Sequence, residues 1–89
     1  MKRQIKTTKY FDKKYKKFIE RDFVLAKKVI DTLKRLAGDI NDPILKTHKL
    51  SGDLKNSFAC SINYEYRIVF YYDDVFVYLE SIGSHDEVY

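Results

Sequence analysis

The sequence predicts a two-layer α+β domain, with helices packed on one face of an antiparallel sheet. Three observations carry that expectation. Apolar residues recur at helical spacing from Phe11 to Ala37, the stretch Asp39-Ile-Asn-Asp-Pro43 then breaks the pattern, and from Phe58 onward the period becomes two. At 89 residues the chain has room for one domain spanning 1–89, whose core is small.

Each element has its own signal. Residues 2–7 alternate loosely and end in Thr7-Thr8, which suits a short strand followed by a helix cap. Phe11, Tyr15, Phe18 and Ile19 fall at i, i+4, i+7 and i+8, one side of a helix, so that Lys13, Lys14, Lys16 and Lys17 turn mostly outward. Asp22 can cap a second helix, in which Ala26, Val29, Ile30, Leu33, Leu36 and Ala37 keep the period until Gly38 allows a left-handed exit. The two helices read as an antiparallel hairpin. Pro43 lacks a donor and pushes Asp42 toward extended backbone, and a loop is expected through residues 47–52. Phe58, Cys60 and Ile62, then Tyr66, Ile68, Phe70 and Tyr72, alternate as strands. Asn63-Tyr64 and Asp73-Asp74 stand at the turns, and residues 75–81 supply the last strand. The predicted order is β-α-α-β-β-β, the last three strands forming a meander. With Ile68 and Phe70 facing the helices, Arg67 and Tyr71 face away, which puts an arginine in the middle of an uncovered sheet surface.

Composition narrows the classes of function. With 45% hydrophobic and 16% aromatic residues the chain is too apolar for disorder, while its apolar runs are too short to span a bilayer. Met1-Lys-Arg-Gln-Ile-Lys is charged but has no apolar stretch behind it, so no secretory leader, no membrane partner and a cytoplasmic location are expected. A lone cysteine, Cys60, excludes an internal disulfide, and no Cys/His spacing suits a structural metal. By strand parity Cys60 is a small buried apolar group. The net charge of +4 is unevenly spread: residues 1–36 hold 13 Lys and Arg against four Asp and Glu, and the remainder hold four against nine. Such a basic half attracts polyanions over about 8 Å at physiological salt, although a lysine-rich helix face is as often simply solvated.

Phosphate-binding glycine loops, paired cysteines, the HExxH zinc motif and a nucleophile elbow are all missing, so no cofactor is implied. The reactive groups that remain are His48, Arg67, His85 and Tyr89, with Lys49 and Lys55 near His48. A meander carries the loop before its first strand and the tail after its last toward one end of the open face. Cleaving RNA without a metal requires a base for the 2′-hydroxyl, a cation for the phosphate and an acid for the leaving 5′-oxygen, and histidine, arginine and lysine can supply all three. Histidine titrates near pH 6.5, arginine can hold phosphate oxygens in bidentate fashion, and a tyrosine can stack on a base. Each has an ordinary explanation too. His48 and His85 can be solvent-facing histidines, Arg67 can pair with Glu65 or Glu80, and Tyr89 can pack on the sheet edge.

The segments His48-Lys-Leu-Ser-Gly-Asp-Leu-Lys55, Tyr66-Arg-Ile-Val-Phe70 and Ile82-Gly-Ser-His-Asp-Glu-Val-Tyr89 resemble, in order and spacing, the YafQ-type branch of the RelE/StbE toxins of the RelE/ParE superfamily. The likeness covers nearly the whole chain, and its C-terminal element is the most specific part. It implies a RelE/ParE-like fold and the toxin of a type II toxin-antitoxin system. It implies further an mRNA interferase that enters the 70S ribosome and cuts the codon in the A site, leaving a cyclic phosphate. A cognate antitoxin protein would neutralise it, in a heterotetramer able to bind operator DNA. By position, His48 and His85 fall on that branch's active-site histidines, Tyr89 on its terminal aromatic and Arg67 on a phosphate-binding arginine. The assignment carried forward is His85 as acid or base, Arg67 with Lys55 holding phosphate, His48 positioning or carrying the second proton, and Tyr89 stacking. Lys49 and Glu65 are assigned to the substrate.

The sequence departs from that pattern where the branch commonly has an Asp and a His in the first meander strand, which here are Ala59 and Ser61, while an acidic position after the turn is met by Glu65. Ser81 replaces an arginine before the Gly-x-His element. The reduced set leaves two alternatives standing: a ParE-like toxin that inhibits DNA gyrase without nucleolysis, and a degenerate toxin that only binds its antitoxin.

Overall fold

A computed structural model describes residues 2–50 and 56–88; Lys55 and Tyr89 lie outside the described residues. The element order is β1 (Gln4–Thr7), α1 (Lys9–Arg21), α2 (Phe23–Gly38), a 3₁₀ turn (Pro43–Leu45), β2 (His48–Lys49), β3 (Phe58–Ser61), β4 (Tyr66–Tyr72), β5 (Phe76–Ser84) and α3 (His85–Val88). The described strands form a sheet in the order β1-β5-β4-β3-β2, with β1 parallel to β5 and the other neighbours antiparallel.

The helical hairpin forms where its caps place it. Thr8 Oγ1 accepts from the Phe11 amide at 3.1 Å, and Asp22 Oδ1 accepts from the Leu25 amide at 3.1 Å. Asp22 thus ends α1 and starts α2, both turns coming from one extended residue. The exit from α2 differs from expectation. Gly38 is the last helical residue and takes no left-handed conformation; extended Asp39 closes the helix instead, its amide donating to the Arg35 carbonyl at 2.8 Å. The positive φ in this region belongs to Lys46, at 51°, just before β2.

The apolar stripe of each helix meets one face of the sheet. Phe11, Val29 and Leu36 join Ile40, Leu45, Cys60, Ile68, Phe70, Val77, Leu79 and Ile82 in the core. Burying side chains of this size contributes roughly 1.5–3 kcal/mol each, which is what holds so small a domain together. Ile30, expected in the core, is 45% exposed, because the packed stripe runs through Val29, Leu33 and Leu36. No helix among the described residues is long and apolar enough to cross a membrane.

Two features of the sheet go beyond a plain meander. His48 and Lys49, read as loop, pair with Ala59 and Phe58 as an edge strand. In β5 the register shifts: Val69 faces Ser81 while Phe70 faces Leu79, which leaves Glu80 as an extra residue in a β-bulge. The core positions of β5 accordingly run Val77, Leu79, Ile82, a step of two followed by a step of three.

Candidate functional site on the open sheet face

Directly paired residues of neighbouring strands share a face. Ser61, Arg67 and Gly83 therefore form one row on the side away from the helices, and His48, Ala59, Val69 and Ser81 form the next. A third row holds Tyr71 and Tyr78, whose rings stack at 4.6 Å.

Arg67 lies half-buried in the first row. Its Nη1 donates to the carbonyls of Asn63 and Tyr66, in the turn that joins β3 to β4. Among the described residues these neutral contacts stand in place of the expected pairing with Glu65 or Glu80. The turn is built by Asn63, whose Oδ1 accepts from the amides of Glu65 and Tyr66 at 2.9 and 2.8 Å. Pinning Nη1 to the turn fixes the plane of the group, and the guanidinium's five donors are not used up by two contacts.

His85 stands immediately beyond Ser84, at the end of β5, where its amide donates to the Glu65 carbonyl at 3.3 Å. Its ring is 64% exposed and lies 3.7 Å from Asp86 Oδ1, a contact that becomes an ion pair when the imidazole is protonated. The backbone thus brings Arg67, His85 and Glu65 to the same end of the sheet. His48 is on the same face but two strands over and two residues along from Arg67, roughly 12 Å between Cα atoms by strand geometry. Its Nδ1 sits 3.2 Å from the Lys46 carbonyl, which can only accept, so this nitrogen carries the proton and Nε2 is the basic one in the neutral ring. Lys49, opposite Phe58, falls on the helix side of the sheet.

Two further observations bear on chemistry. Cys60 is a core group: burial pushes its thiol up to about 12, against the lowering effect of a hydrogen bond at Ile68 and the charge of Arg67. It is no nucleophile at neutral pH. The other concerns Glu80, considered in the sequence only as a partner for Arg67. Its Oε1 accepts from Ser57 Oγ at 2.6 Å. Ser57 leads into β3 and Glu80 lies in β5, so this bond passes over β4, on the open face, above Val69. The sign of it in sequence is the irregular spacing of Val77, Leu79 and Ile82, which demands a bulge at Glu80.

A family model described as the bacterial toxin of type II toxin-antitoxin systems, YafQ, matches residues 3–89. The chain belongs to this YafQ toxin family. Among solved structures, the toxin is similar to the YoeB dimer from Staphylococcus aureus, with 27% identity, a TM-score of 0.80, and coverage of 96% of this chain and 99% of that one. It resembles equally the YoeB of the heterotetrameric YoeB-YefM toxin-antitoxin complex from Staphylococcus aureus, at 27% identity, TM-score 0.78, and 96% and 99% coverage. YafQ from E. coli strain BL21(DE3) shares the fold, with a TM-score of 0.74 over 98% of both chains at 18% identity. No curated protein sequence matches the toxin. The RelE/ParE-superfamily resemblance and the α+β fold expected from the sequence are both borne out.

Proposed function

We propose that this toxin is a ribosome-dependent endoribonuclease that cuts mRNA in the A site by attack of a 2′-hydroxyl, using its own side chains and no metal. The observation that supports the reading is that Arg67 and His85 come to the same end of the sheet, with Arg67 on the face away from the helices and turn carbonyls fixing the plane of its guanidinium. Arg67 holds the nonbridging oxygens of the scissile phosphate and stabilises the charge that grows on them, an effect worth about 10²–10³ in rate for a single well-placed donor. His85, whose ring is exposed, gives a proton to the leaving 5′-oxygen. His48, on the edge strand two strands from Arg67, is assigned to contact with the neighbouring nucleotide. Lys55 and Tyr89, by their places in the motifs, add phosphate binding and base stacking, and Glu65 beside His85 helps to orient the substrate. A cognate antitoxin restrains the toxin in the cytoplasm, as YefM partners YoeB in the heterotetramer, and the complex can bind operator DNA.

The test is primer extension on a translated message after induction, beside the same message with its start codon removed. In-frame cuts confined to the translated copy are expected. Growth arrest with both messages intact would overturn the reading and favour a gyrase-directed toxin.

A further inference from the structure

We infer that Glu80 is the group that takes the proton from the attacking 2′-hydroxyl, an assignment that rests on the ribonuclease reading above. Departure of the 5′-oxygen opposite the incoming 2′-oxygen requires base and acid on opposite sides of the phosphate. If Arg67 holds the phosphate and His85 is the acid, the base has to lie farther along the open face, away from the β3–β4 turn.

The described residues of that face leave few acceptors there. Ala59 and Val69 are apolar and buried, Ser61 and Ser81 are hydroxyls, and Tyr71 is a phenol. Glu65 lies in the turn on the His85 side of Arg67, and His48 sits on the edge strand two strands away. Glu80 is different. The bulge sets it opposite the Val69–Phe70 step, and the 2.6 Å bond from Ser57 Oγ draws its carboxylate over β4, the strand that carries Arg67. Along the sheet the order of these positions is therefore Glu80, Arg67, His85.

A purely structural account explains this arrangement poorly. A carboxylate above buried Ala59 and Val69 gives up part of its hydration, and an aliphatic residue would pack there at no such cost. Bulges recur beside active sites because they re-aim a side chain, and here the register shift does so with a buried serine to hold the result.

In the step itself, one Glu80 oxygen accepts the 2′-hydroxyl proton as the 2′-oxygen bonds to phosphorus. The bond from phosphorus to the 5′-oxygen breaks, and that oxygen takes a proton from the His85 imidazolium. The products are a 2′,3′-cyclic phosphate and a 5′-hydroxyl; exchange with water returns the proton from Glu80 to His85.

The experiment separates base from acid by changing the leaving group. Ribosomes programmed with a synthetic mRNA carry, at the cleaved linkage, either the natural bridging 5′-oxygen or a bridging 5′-sulfur, which departs without protonation. Glu80→Gln, which retains an acceptor for Ser57, is expected to cut the oxygen substrate about 10²-fold or more slowly than the parent and to gain nothing relative to the parent from sulfur. His85→Ala is expected to regain most of its lost rate with sulfur. Parental cleavage by Glu80→Gln, or its rescue by sulfur, overturns the assignment while leaving the ribonuclease intact. Absence of cleavage by the parent itself overturns both. Should the glutamine variant fail to fold, Ser57→Ala decides: loss of the group that aims the base must slow both substrates alike, and an unchanged rate overturns the assignment.

Discussion

The two sides of the sheet answer to different physical demands, and β4 shows both within one run of residues. Ile68 and Phe70 are wholly buried against the helices, whereas Arg67 and Tyr71, their neighbours in the chain, face the other side of the sheet. The helix side is closed, apolar and covered in turn by a lysine-rich outer layer that includes Lys13, Lys16, Lys17, Lys27 and Lys28, all exposed. On the other side, Arg67 is held by backbone carbonyls and Glu80 by a serine. Stability thus resides on one face and the proposed chemistry on the other, so substitutions one residue apart should separate the two.

The largest expected effect tests the closed side. Phe70→Ala removes a fully buried ring from the centre of the core and should cost about 3–5 kcal/mol, a large part of what a domain of this size has. Urea unfolding should show the midpoint fall sharply, and toxicity should vanish together with the fold. Next comes the open side. Arg67→Ala or His85→Ala should lower cleavage by about 10²-fold or more and relieve growth arrest, with the unfolding midpoint near that of the parent and the antitoxin complex still formed. If both variants stay as toxic as the parent, the division between faces is wrong.

Much of this division was legible in the residues alone. The change of period at Phe58, the caps at Thr8 and Asp22, and the turns at Asn63 and Asp73 are local signals, and each element they announce is present. Parity along Tyr66-Arg67-Ile68 was enough to put the guanidinium on the open face. What escaped depends on contacts distant in sequence. β2 is two residues long, too short for any periodicity, and exists because Ala59 and Phe58 offer it an edge. The exit of α2 reads as a glycine stop, but Asp39 captures the Arg35 carbonyl first. Glu80 was visible only as a carboxylate; its place above β4 follows from the bulge and from Ser57, which lies 23 residues away.

The outer basic layer offers a third, intermediate test. It lies on the far side of the molecule from Arg67 and His85, so its role in the proposed function is attachment to a polyanion rather than chemistry. Reversing Lys13, Lys16 and Lys17 to Glu should weaken ribosome association and flatten its dependence on salt, the logarithmic slope falling by up to about three if each lysine meets a phosphate. Cleavage at saturating enzyme should persist. Salt-independent association in the parent would remove this layer from binding altogether. Smaller again are the caps: Thr8→Ala and Asp22→Ala should each cost about 1 kcal/mol, read from the same urea curves, and neither should alter cleavage.

The smallest effect concerns the opposite end of the sheet, where Asp73 organises the β4–β5 turn. Its Oδ1 accepts from the amides of Phe76 and Val75 at 2.7 and 2.8 Å, and Tyr78 donates its hydroxyl to Oδ2 at 2.9 Å. The Phe76 amide, then the Val75 amide, then the phenol and the nearby Arg3 charge hold the carboxyl below its ordinary 3.8, while the Tyr78 phenol is raised, chiefly by the same hydrogen bond. A carboxyl whose affinity for protons falls on folding stabilises the native state above its ordinary value, and that stabilisation disappears as the pH drops through the lowered one. Asp73→Asn keeps an oxygen acceptor for the turn but carries no charge. Parent and variant should therefore differ in urea midpoint at pH 7 and converge as the medium is acidified below about 4, a range set by the ordinary carboxyl value. A gap that stays constant across that range would mean that the turn is held by shape alone, and that the carboxylate's charge does nothing at the end of the sheet remote from Arg67.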